Sequence, residues 1–351
     1  QLGEMRAAHL GFTRPELAVL MAYSKLSLFA DLQESKLLDA PYFETDLLRY
    51  FPKEMQKAYG DEIRNHRLRR EIVATMITNS IVNRTGITFV YELARETGLS
   101  AADIAQAYVI TRDAFKLREL WSAIESLDGV IDAGVQAELF SAVNGFIEHA
   151  CRWFLRHVPQ PMRIDTVMQQ LAEGITLFIK HHEAIMTQTL RKSYELAIEN
   201  LIKLNIPSAI ARRVASLEIL ASACDVVEAA NATKLPVEHV GRVYFELGAE
   251  LKLGWLRRTA RSLKTDTHWE QLAATALVTE LYQAQQQLTV RVLRRKKGAN
   301  AHALVEGWMK ENSDSLQRYL GAMEGFKSQQ QTANYAMLIV ALRQVQWIVN
   351  V

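Results

Sequence analysis

The chain has 351 residues, 49% of them apolar, enough for a sizeable core. Its 41 Lys and Arg against 39 Asp and Glu leave a formal net charge of +2, too close to balance to imply a polyanionic partner for the whole chain, so that any nucleic-acid role would come from a local patch. No apolar run approaches the roughly 20 residues of a membrane span, so no membrane role is expected. Cys151 and Cys224, without a second Cys or a ligand-spaced His nearby, read as free thiols of a reducing cytoplasm.

Gln1 is not an initiator Met, and Leu2 to Leu10 reads as the tail of an earlier helix, so a fragment is expected. Seven Pro and 16 Gly are few for this length and predict long helices. Thr13 to Glu16 forms a capping box, with Pro15 in the first turn. Behind it Leu17, Leu20, Met21, Ser24 and Leu28 share one helical face, and Leu68, Ile72, Val73, Met76 and Ile77 make the next stripe. Ile87 to Tyr91 is rich in β-formers, but a lone strand has nothing to pair with, and the segment reads as a helix running into Gly98. A second box, Ser100 to Asp103, opens a helix with Ile104, Tyr108, Thr111 and Phe115 on one face. Val135, Leu139, Val143, Phe146, Ile147 and Phe154 mark a long helix that stops before Pro159.

Farther on, Ile164, Val167, Met168, Leu171, Ile175 and Phe178 share a face, as do Val240, Val243, Tyr244, Leu247 and Leu251. Trp269 to Leu293 and Ala301 to Phe326 are long segments, each polar on one side. The fold class expected is all-α, a multi-helix bundle. The turn-forming stretch Asp128 to Gly134 suggests two packed helical subdomains, 1–130 and 131–351, with one continuous bundle as the alternative.

Candidate chemistry is sparse. Gly241, Gly248 and Gly254 lie within or at the end of a helical pattern with no strand before them, so close helix packing and a C-cap explain them better than a pyrophosphate cradle. Glu148-His149, His181-His182-Glu183 and Glu238-His239 have adjacent positions rather than the i, i+3 spacing of a di-iron bundle, and read as solvated helix faces. No metal site and no nucleophile grouping is expected. The six Trp, at 121, 153, 255, 269, 308 and 347, are spaced as one packing anchor per helix.

Two groups stand out as contact surfaces. Asn79 and Asn83 are i, i+4 neighbours on an apolar helix, followed by Arg84 and Thr88, and something must satisfy their donors. Either an internal network holding the break at Gly86 or a docking face for another domain would do so; the second is the expectation carried forward. A basic contact patch of Arg257, Arg258, Arg261, Arg294 and Arg295 is the other candidate, its later part belonging to a run through Lys297 that also suits a helix C-terminus.

Thr13-Arg-Pro-Glu-Leu-Ala-Val-Leu-Met-Ala-Tyr-Ser-Lys25, Pro41-Tyr-Phe, Leu47-Leu-Arg-Tyr-Phe-Pro52, Leu68-Arg-Arg-Glu-Ile-Val-Ala-Thr75 and Asn79 through Val90 together resemble the C-terminal region of bacterial NAD-specific glutamate dehydrogenases of the large-subunit type. The resemblance runs along the chain and is most specific in its first hundred residues. It implies a parent enzyme that oxidises L-glutamate to 2-oxoglutarate and ammonium with NAD, in a cytoplasmic homo-oligomer. It also implies that catalytic and NAD-binding residues belong to an upstream catalytic domain, so that no catalytic residue and no cofactor is assigned to this chain. What remains is a helical part with a structural, docking or regulatory role. A helical adaptor unrelated to catalysis and a nucleic-acid-binding module are the alternatives.

Overall fold

A computed structural model describes residues 11–265, 267–295, 300–328 and 334–350, the side chains of 268, 327, 328 and 350 excepted. Among the described residues there is no strand. Leu2 to Leu10 and the basic residues Lys296 and Lys297 lie outside the description. The chain divides into two compact units, residues 1–169 and 170–351. The stretch Asp128 to Gly134 falls within the first, as the turn between two of its helices and the first two residues of the later helix, Ala133 and Gly134.

The first helix described in this unit is α1 (Arg14–Glu34), whose cap is the expected box: the Glu16 carboxylate accepts from the Thr13 N–H at 2.7 Å and from its hydroxyl at 2.8 Å. Two 3-10 turns, Leu37–Asp39 and Pro41–Phe43, lead to α2 (Glu44–Tyr50), α3 (Lys53–Ala58) and α4 (Gly60–Arg64). Next come α5 (Arg69–Thr85), α6 (Phe89–Thr97), α7 (Ala101–Ala114), α8 (Leu117–Glu125) and α9 (Ala133–His157). Gly86 at φ +89° ends α5 and Gly98 at φ +72° ends α6, the left-handed exits that only glycine makes without strain. The β-rich Ile87 to Tyr91 segment is thus helical from Phe89 on, as expected.

Helix α7 is the axis of this unit. Ser100 caps it by accepting from the Asp103 N–H, while the Asp103 carboxylate accepts from the Ser100 N–H at 3.0 Å. Ile104, Tyr108 and Thr111 are completely buried because α1, α5, α6, α8 and α9 all pack around it. The α9 face supplies Leu139, Val143, Ile147 and Phe154, as the periodicity predicts.

Helix α10 (Ile164–Ile185) carries the first residues of the second unit, followed by α11 (Gln188–Lys203), α12 (Ser208–Ala215), α13 (Leu217–Leu220), α14 (Ala223–Thr233), α15 (Val237–Glu250) and α16 (Leu253–Ser262). The last four are α17 (His268–Arg295), α18 (Ala301–Glu311), α19 (Ser313–Ser328) and α20 (Tyr335–Asn350). The long α17 is the axis here, contacted by α14, α15, α16, α18 and α20.

The segment Ala301 to Phe326 forms two helices: Asn312 separates them, its Nδ2 donating to the Trp308 carbonyl at 2.8 Å, the local side-chain bond by which Asn competes with a helix. The expectation of one packing Trp per helix needs correction. Trp121, Trp153 and Trp308 are buried anchors, but Trp269 is 76% exposed and Trp347 lies half open beside the Arg318 guanidinium. The α1 stripe is covered only at its C-terminal end, where Leu28 is buried while Leu17 and Met21 are not.

Candidate functional site

The Asn79, Asn83, Arg84 and Thr88 group occupies the last turns of α5 and the turn after it. Asn83 and Thr88 are exposed and Asn79 is half-buried, and neither amide side chain bonds another described residue. Arg84 behaves differently. Its Nη2 meets Glu125 at 2.5 Å, and its guanidinium lies 5.0 Å from the Trp121 ring centroid and 6.0 Å from that of Phe140. That cation is held inside its own unit by α8 and α9, whereas Asn83 and Thr88 are the exposed members of the group.

A polar cluster that the sequence does not advertise lies where α2, α7 and α8 meet. Arg112 and Asp46 are both buried, and Arg112 Nη2 lies 2.8 Å from Asp46 Oδ2 and 2.8 Å from Asp113 Oδ2. Arg118 adds a second cation 2.5 Å from Asp46, and the Tyr42 hydroxyl donates to Asp113 at 3.0 Å. Burial pushes the Asp113 carboxyl up, but the Arg112 hydrogen bond and charge, with Arg118 and Tyr42, outweigh it and hold it below its ordinary value. Burial and the Asp113 charge push the Tyr42 phenol well up. The cluster floors an open cleft of about 730 Å³ rimmed by Arg49, Arg64, Lys116 and Glu119. Its charges answer one another, which makes it an ion-pair lock joining segments 66 residues apart in sequence.

In the second unit, Gln285 is completely buried and donates to the Tyr244 carbonyl at 2.7 Å, while accepting from Arg257 at 2.7 Å. The Tyr244 hydroxyl donates to the buried Asp225 at 3.2 Å. Gly248 exists for this contact, since a Cβ there would lie 2.4 Å from Gln285 Nε2. Gly241 likewise receives Ile185, whose Cδ1 would be 2.7 Å from a Cβ. Gly254 is the second residue of α16, not a C-cap. The space at Gly241 and Gly248 is filled by protein side chains on a helix, so this cluster does not fit a dinucleotide pyrophosphate.

The five basic candidates fall in two groups, Arg257, Arg258 and Arg261 on α16 and Arg294 and Arg295 at the end of α17. Arg257 lies 4.1 Å from the Tyr282 ring centroid as well as on Gln285; Arg258 pairs with Glu218 at 3.5 Å and Arg295 with Glu311 at 2.9 Å. Arg261 and Arg294 are exposed. Gln285 and Arg294 are separated by about 14 Å of helix at 1.5 Å per residue, so the two basic groups do not merge at this end of α17. Of the His pairs, two meet across helices, His181 Nδ1 lying 3.1 Å from Glu238 Oε1. No group of three or more possible metal ligands assembles among the described residues, and no described helix is long and apolar enough to cross a membrane.

These helices define an all-α, multi-helix region. The chain belongs to the family described as glutamate dehydrogenase, C-terminal, whose profile matches residues 9–346. It is similar to the NAD-specific glutamate dehydrogenases of Pseudomonas aeruginosa, at 33% identity, and Halomonas elongata, at 31%, each over 98% of this chain. The enzyme of that name from Mycobacterium tuberculosis is 27% identical over the same share. The chain spans about a fifth of the length of these relatives, 21% of each.

Proposed function

We propose that this chain is the helical C-terminal region of an NAD-dependent glutamate dehydrogenase, the whole enzyme converting L-glutamate, NAD and water to 2-oxoglutarate, ammonium and NADH. The region's own part is structural: it docks on an upstream catalytic domain of the same polypeptide, in a cytoplasmic homo-oligomer. NAD and the catalytic residues belong to that upstream domain. The observation carrying this reading is the alignment of 98% of the chain with only 21% of enzymes that bear that name. The outward-facing Asn83 and Thr88, with Asn79 unbonded beside them, support a docking edge at the end of α5.

The test is turnover by the full-length polypeptide. NADH formation dependent on L-glutamate and NAD is expected; a full-length product that folds but does not turn over glutamate would refute the assignment.

A further inference from the structure

Between Leu17 and Ala30 helix α1 carries one charged residue, Lys25, yet Val19, Met21, Tyr23 and Leu26 are exposed, Tyr23 to 67%. A helix apolar on all sides is normally covered on all sides. The cover for its C-terminal half is visible: Leu28 and Leu32 are buried, and Arg70 Nη2 of α5 donates to the carbonyls of Gln33 at 2.9 Å and Ser35 at 3.0 Å. At the other end of α5, the Ser24 hydroxyl meets the Ile87 carbonyl at 3.4 Å. Arg70 beside residues 33 and 35, and Ile87 beside Ser24, make the two helices antiparallel. Residues 14–23 therefore continue past the end of α5, about 15 Å of helix at 1.5 Å per residue.

At 100° per residue, Leu17 and Met21 extend the stripe that Leu28 and Leu32 bury, whereas Val19, Tyr23 and Leu26 form a second stripe on the opposite side. Two opposed apolar stripes suit a groove with walls on both sides. A membrane surface would want one apolar face and a basic polar face, which Arg14 and Lys25 alone do not provide. The occupant follows from what is missing: the relatives are about five times as long, and the family region is their C-terminal one, so the rest of such a polypeptide enters just ahead of α1.

We propose that the N-terminal half of α1 seats Leu17, Val19, Met21, Tyr23 and Leu26 in an apolar groove of the polypeptide that precedes this region. The proposal rests on reading the chain as the C-terminal part of a longer enzyme. Tethering places the groove at an effective concentration of about millimolar, so that a shallow contact suffices.

The experiment replaces Tyr23 by p-benzoyl-phenylalanine in the full-length polypeptide, with the same replacement at the exposed, charged Glu199 of α11 as control, followed by irradiation and peptide mapping. Cross-links from position 23 to the preceding polypeptide are expected at about ten times the control yield, unchanged over a roughly hundredfold dilution as an intrachain contact requires. A yield equal to the control, or cross-links to a second copy that fade on dilution, would overturn the proposal. Turnover of glutamate by the unsubstituted polypeptide is measured alongside, so that failure of the enzyme assignment and failure of the docking surface are read separately.

Discussion

Arg112 of α7 and Asp46 of α2 form a buried ion pair, 2.8 Å between Nη2 and Oδ2, with side chains 3% and 5% exposed. Removing one partner of a buried pair costs about 3–5 kcal/mol, because the other charge is left in a poor solvent. Arg112→Met should fall at the low end, about 3 kcal/mol, because Arg118 stays on Asp46. Urea unfolding of the chain measures it, and a loss below about 1 kcal/mol would mean that the cluster is better solvated than its burial implies.

The same cluster sets an acid limit. Arg112 and Arg118 depress the Asp113 carboxyl below its ordinary value of 3.8, so its stabilisation is complete above pH 3.8 and is lost as the pH falls through the lower, folded value. Urea midpoints followed downward from pH 5 should drop in that window, and Asp113→Asn should flatten the drop while lowering stability at neutral pH. An unchanged acid limb in the variant would contradict the assignment.

Both cysteines should be silent toward thiol reagents in the folded protein. Burial pushes the Cys151 thiol up to about 12, with Thr111 Oγ1 at 3.5 Å, and burial raises Cys224 well above its ordinary value too. Labelling by a small alkylating reagent at pH 8 is expected to track unfolding. Rapid modification of either residue in the native state would show that its helix opens locally.

Two glycines in helix interiors should respond to alanine with opposite signs. A Cβ at Gly145 in α9 meets nothing within 4 Å, so Gly145→Ala should stabilise by about 0.5–1 kcal/mol through helix propensity. At Gly174 in α10 a Cβ would lie 2.5 Å from Val227 Cγ1, and overpacking there costs about 1–3 kcal/mol. Thermal melts of the two variants, shifted up and down respectively, check the packing of α9 and of α10 on α14.

At the end of α5, Asn83→Ala should leave the melting temperature unchanged, because the exposed amide bonds no described residue. Arg84→Ala loses the contacts with Glu125 and Trp121, about 1 kcal/mol for a partly exposed cation. Equal losses in both would place Asn83 in an internal network.

How far the sequence discloses this follows from which signals are local. Both capping boxes and the Ile104 to Phe115 stripe are legible because they are set by residues three or four apart. Asp46 and Arg112 escape notice because each sits among other charged residues in a helical pattern, and only the chain's return after 66 residues makes them a pair. Periodicity places Leu17 and Met21 on one face of α1 with Leu28 but does not show what covers it, and of the three only Leu28 is buried. Asn312 breaks a helix without the Gly or Pro that would have marked the place.

The central claim, that this region supports an enzyme whose chemistry lies elsewhere in the polypeptide, is tested most directly by titrating NAD into the 351-residue chain and into the full-length polypeptide in a calorimeter. Saturable heat from the full-length protein, and none from the 351-residue chain at concentrations up to about 1 mM, is the expected result, since the helical glycines offer no cradle for a pyrophosphate. Saturable binding of NAD by the 351-residue chain alone would contradict it.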